Sequence, residues 1–84
     1  MGTLKRRLYE SRHFTLDQET SRKGRKIYRI SLWNTGPMEY SEVEQVRDML
    51  DPQRNRAGRT AYAWKYSNRK EAEERYTMLL LRWA

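Results

Sequence analysis

Arg22, Lys23, Arg25, Lys26 and Arg29 place five cationic side chains within eight residues, and Arg54, Arg56 and Arg59 repeat that density further along the chain. Groups at this spacing neutralise phosphates, and arginine forks also reach the edges of bases in a groove. Lys65 and Arg69 extend the second group, and with Lys70 residues 52–70 hold six cations and no acid. An acid-free run of that length relieves its self-repulsion against an anionic partner. Aromatic residues lie among the cations: Trp33 follows the first group, and Tyr62, Trp64 and Tyr66 alternate within the second. Single-stranded nucleic-acid binders use this mixture, cations for the backbone and rings for stacked bases. The competing expectation for Tyr62, Trp64 and Tyr66 is packing beneath helices, because Ala61 and Ala63 on the other face are too small to fill a core.

Catalysis and metal binding find no comparable set of residues. His13 is the sole histidine, which excludes a paired-histidine metal site and a histidine relay within one chain; it reads as an exposed strand residue. No cysteine is present, so thiolate ligands, disulfides and a cysteine nucleophile are excluded. Asp17 and Glu19 share one strand face, a spacing that can hold a divalent cation, but Arg25 and Arg29 are placed to neutralise them. The four glycines form no phosphate-cradling loop, and no serine stands in a glycine-flanked elbow. The expectation is a non-enzyme without metal or cofactor.

The cations belong to a chain of 84 residues with 18 Lys and Arg against 11 Asp and Glu, a formal charge of +7. Charge is segregated along it: residues 1–36 carry nine basic and three acidic side chains, 37–51 one and five, and 71–84 two and three. With 37% hydrophobic residues there is material for one small core and no second one. Residues 1–11 read as a basic arm, with Lys5, Arg6 and Arg7 beside the apolar anchors Leu4, Leu8 and Tyr9, and residues 12–84 as a single α+β domain. No apolar run approaches the roughly 18 residues of a membrane span, and the first residues lack a signal-peptide pattern. A cytoplasmic protein without a membrane partner is expected.

Alternation positions the first cationic group. Phe14 and Leu16 fall on one face of a strand and His13, Thr15 and Asp17 on the other. After the polar stretch Thr20 to Gly24, Tyr28, Ile30 and Leu32 alternate with Ile27, Arg29, Ser31 and Trp33, which predicts a hairpin. A register with Phe14 opposite Ile30 and Leu16 opposite Tyr28 sets Arg12 against Leu32 and Glu19 against Arg25, with Asp17 diagonal to Arg29. Ser41 and Glu44 predict a capping box and a helix from Glu42, its stripe formed by Val43, Val46, Met49 and Leu50 and its end set by Asp51 and Pro52. Thr60 to Tyr66 predicts a third strand. Asn68 and Glu71 predict a second cap, followed by a helix whose stripe is Ala72, Tyr76, Leu79, Leu80 and Trp83.

The segment from Thr60 to Glu74 resembles the third strand and second helix of an RNA-recognition motif, through Tyr62 and Trp64 around Ala63 and then Glu71 and Ala72. It departs from that pattern at Lys65, at Ala61 in the glycine position, and in the hairpin that precedes it. The expected architecture is a two-layer ββαβα domain, a mainly antiparallel three-stranded sheet with two helices on one face. Nucleic acid, DNA or RNA, is the expected partner, met through Arg22, Lys23, Arg25, Lys26, Arg29, Trp33, Arg54, Arg56, Arg59, Lys65 and Arg69. The alternative is a small virus-type regulator or inhibitor that engages an acidic protein surface; a homodimer is compatible with either. Trp33 falls on the sheet face that the helices leave free, where it contacts a partner or is covered by Leu4 and Leu8 of the arm.

Overall fold

The computed structural model describes residues 4–50 and 62–84. Strands β1 (Leu4–Glu10), β2 (Phe14–Thr20) and β3 (Lys26–Leu32) are followed by helix α1 (Tyr40–Leu50), strand β4 (Ala63–Tyr66) and helix α2 (Arg69–Trp83). The four strands form one antiparallel sheet in the order β1-β2-β3-β4. The chain is therefore α+β as expected, with a fourth strand where the basic arm was anticipated.

β1 escapes a period-two reading because the ladder to β2 is broken between Arg7 and Tyr9: Arg7 pairs with Asp17, and Tyr9 with Leu16. The extra residue returns both Leu8 and Tyr9 to one face. Leu8 packs against the core, and the Tyr9 ring stacks on Tyr76 of α2 with centroids 5.8 Å apart.

The β2–β3 hairpin has Phe14 opposite Leu32, Leu16 opposite Ile30 and Asp17 opposite Arg29, a slip of two residues from the expected register. A two-residue slip preserves every side chain's face, so the apolar pattern accepts either pairing. The turn decides. Ser21 donates its N–H to the Arg25 carbonyl, and Gly24 donates to the Ser21 carbonyl, enclosing the loop Arg22-Lys23-Gly24. Its third residue takes φ +85°, a conformation that glycine adopts without steric cost.

One face of the sheet carries the core. Phe14, Leu16, Tyr28, Ile30, Leu32 and Trp64 pack against Val43, Val46 and Leu50 of α1 and Ala72, Tyr76, Leu79 and Trp83 of α2. Trp64 and Tyr66 thus turn toward the helices, and the stacking surface that a likeness to an RNA-recognition motif implies there is not offered to solvent. Tyr62 stays 47% exposed, with the Arg47 guanidinium 5.1 Å from its ring centroid.

α1 begins two residues before the expected position, and its capping group differs. Glu42, rather than Glu44, reaches back to accept the Glu39 backbone N–H at 2.9 Å, while Glu44 pairs with Arg47 at 2.8 Å. The end expected at Asp51 and Pro52, and the beginning of the strand expected at Thr60, lie outside the described residues. α2 keeps its expected cap: Asn68 accepts the Glu71 N–H at 3.1 Å. Among the described residues, no helix is long and apolar enough to cross a membrane.

Candidate functional site

Neither described helix covers the second sheet face, and its side chains follow from the register. Three cross-strand rows succeed one another: Lys5, Glu19 and Ile27; then Arg7, Asp17, Arg29 and Lys65; then Glu10, Thr15, Ser31 and Ala63. His13 and Trp33 close the far end, where the Trp33 N–H bonds the His13 carbonyl at 2.9 Å.

Most of this face is electrically satisfied. Asp17 is 2% exposed although it lies on the open side, because Arg7 bonds it through Nε and Lys5 Nζ stands 3.8 Å away. Hydrogen bonding to Asp17 raises the Arg7 guanidinium above its usual pKa, against the opposing effect of burial. Arg7 also meets Glu10 at 2.9 Å. Arg29 Nε lies 2.9 Å from Glu19, an ion pair by distance whose N–H is not directed at the carboxylate and makes no hydrogen bond among the described residues. The acids expected to meet Arg25 thus have other partners. No group of metal-ligating side chains forms among the described residues, Asp17 and Glu19 being committed to cations.

His13 corrects its sequence reading: it is 4% exposed rather than open to solvent. Its Nδ1 lies 2.7 Å from the Asn34 carbonyl, which can only accept, so Nδ1 carries the proton. Trp33 stands where alternation placed it, 56% exposed. Its Nε1 donates to the Ser11 carbonyl at 3.0 Å, which fixes the ring edge and leaves a face to solvent. Leu4 and Leu8 do not cover it: Leu8 is on the core side, and Leu4 is 78% exposed.

The expected site residues divide by their electrostatic partners. Arg22, Lys23, Arg25 and Lys26 are exposed at the β2–β3 turn and form no ion pair among the described residues; Lys65, exposed on the open face, forms none either. Arg29 is engaged by Glu19, and Arg69 by Glu73 at 3.0 Å, a contact that raises the Arg69 pKa and draws it into the helix layer. Arg54, Arg56 and Arg59 lie outside the described residues.

Topology gathers further cations at the turn. Leu4 pairs with Thr20, so the start of β1, with exposed Arg6, lies beside the hairpin tip. β4 ends at Tyr66 opposite Tyr28, near the start of β3, and α2 with exposed Lys70 sets out from there. Arg6 and Lys70 were not anticipated as site residues, because only strand order brings them near residues 22–26. Chemically, this sheet end offers exposed ammonium and guanidinium groups to an anion. Comparisons with family models, with curated proteins and with solved structures find no match to this chain.

Proposed function

We propose that the chain is a non-catalytic nucleic-acid-binding protein that meets phosphates with the hairpin end of its sheet. The observation that carries this reading is the sorting of cations: Arg22, Lys23, Arg25 and Lys26 project from one tight turn without an acidic partner among the described residues, whereas Lys5, Arg7, Arg29, Arg69 and Arg75 are near carboxylates. Uncompensated charge on a projecting turn costs self-repulsion, which a polyanion relieves by releasing its own condensed counterions. Lys65, exposed on the open face, extends the surface in this reading.

The test is a salt titration of binding to random-sequence DNA and RNA. Neutralisation of about four to six phosphates gives a log-log slope of about −3.6 to −5.4 on duplex DNA. Absence of binding to any nucleic acid at about 50 mM salt, where such contacts are strong, overturns the proposal in favour of a protein partner with an acidic surface.

A further inference from the structure

Trp33 stands over a trough that the phosphate reading leaves unused. We infer that this trough on the open sheet face receives one unpaired base of a single-stranded nucleic acid, with Trp33 as the stacking surface. The inference rests on the nucleic-acid reading and gives it a substrate class, single strands in preference to duplex.

The trough is open, about 320 Å³, and lined by Lys5, Arg7, Glu10, Thr15, Asp17, Ser31 and Trp33. Its floor follows from the register, since Thr15 and Ser31 are paired across β2 and β3. Two small side chains side by side leave a depression between larger neighbours. One wall is the Trp33 indole, pinned by its bond to the Ser11 carbonyl so that little side-chain freedom remains to be lost on stacking. The opposite wall is Arg7 with Asp17, and a guanidinium plane also accepts a ring face. The half-buried Ser31 hydroxyl makes no hydrogen bond among the described residues, so it can meet the polar edge of a base.

The charges select the occupant. The cations Lys5 and Arg7 and the acids Glu10 and Asp17 of the lining pair with one another, so the trough keeps no net charge to hold a phosphate and suits a neutral ring, while backbone phosphates meet the cations of the hairpin turn. A neutral ring joined to an anionic backbone satisfies both conditions. Duplex DNA does not, because its base faces are covered by their neighbours and only edges are offered in its grooves. β3 runs from the basic turn to Trp33, and about 3.3 Å per residue sets the two roughly 20 to 25 Å apart, so one strand can meet both.

The experiment compares oligothymidylate, oligouridylate and a random-sequence duplex of equal length. Trp64 and Trp83 are buried, so iodide quenching of emission reports on Trp33. Both single strands are expected to shield Trp33 from iodide. Trp33→Ala should weaken their binding by about 5- to 150-fold, the worth of one stacked base, with duplex affinity unchanged. Ser31→Leu fills the floor, leaves the indole in place and should reproduce the loss; it decides the matter if Trp33→Ala does not fold. Trp33→Phe should keep most of the affinity. Single-strand binding that survives both Trp33→Ala and Ser31→Leu, while Arg25→Ala with Lys26→Ala abolishes it, overturns the trough and leaves the phosphate surface standing. Failure of the intact chain to bind any of the three removes both. Retention of oligouridylate shielding with loss of oligothymidylate shielding restricts the site to RNA, and the converse restricts it to DNA.

Discussion

Asp17 and Arg7 oppose each other across the β1–β2 ladder, the carboxylate 2% exposed and the guanidinium on the rim, on the face of the sheet that neither described helix covers. Burial of an anion there depends on its partner, since a carboxylate stripped of its donors bears its desolvation cost uncompensated. The pair also fastens the edge strand to the sheet.

Arg7→Ala should therefore destabilise the chain by about 1 to 3 kcal/mol, with Lys5 supplying only a distant replacement. Adding Asp17→Asn to Arg7→Ala should recover part of the loss, because the stranded charge is gone. Urea denaturation of the two single variants and the double variant measures the coupling. Full additivity would show that the two groups do not depend on each other.

Leu79 is fully buried between α2 and the sheet. Leu79→Ala should cost about 2 to 5 kcal/mol, a large part of the stability of a domain of this size. A cost under about 0.5 kcal/mol, the range of surface substitutions, would show that α2 does not pack as described.

The core positions were legible because alternation and helical spacing both report burial directly, as Phe14, Leu16, Tyr28, Ile30, Leu32, Ala72, Tyr76 and Leu79 illustrate. β1 was not, since three consecutive cations and the irregularity at Leu8 erase its period. Register was legible only in the turn: Gly24 had to occupy the left-handed position, and a pattern of alternate apolar residues is indifferent to a slip of two. Cations were visible as a population, but which of them are neutralised depends on pairs such as Arg29 with Glu19 and Arg69 with Glu73. For the same reason the burial of His13, which an Asn34 carbonyl twenty-one residues away makes tolerable, left no local signature.

Acid should act on the start of α1. The Glu42 carboxyl is held below its ordinary value of 4.5, first by the Glu39 backbone N–H and then by Trp83 Nε1. A folded pKa depressed below the unfolded one contributes stability that is present above the unfolded value and is lost as pH falls through the folded value. Thermal denaturation followed downward from pH 5 should therefore show a steeper loss for the native chain than for Glu42→Gln, whose amide oxygen still accepts but does not titrate. Parallel acid limbs for the two would remove this carboxylate from the account.

The difference between engaged and unengaged arginines predicts opposite results from similar substitutions. Arg25→Ala with Lys26→Ala should weaken binding to all sequences alike and flatten the salt slope by about 1.8, following roughly 0.9 per lost phosphate contact. Arg69→Ala should leave the slope unchanged, its charge being committed to Glu73. A slope that flattens equally in both variants would place the contact surface on the helix layer as well.

β1 ends the sheet, and a terminal strand is a template on which a second copy can assemble. Two copies meeting head to tail around Arg7 would bring like charges face to face, and the irregularity at Leu8 spoils the straight ladder that such growth requires. Lys5, Arg6 and Arg7 are therefore expected to act against fibrous self-association. Replacing all three with threonine, a good strand former without charge, should turn a clear concentrated solution turbid over time, with the far-ultraviolet spectrum of the freshly prepared chain unaltered.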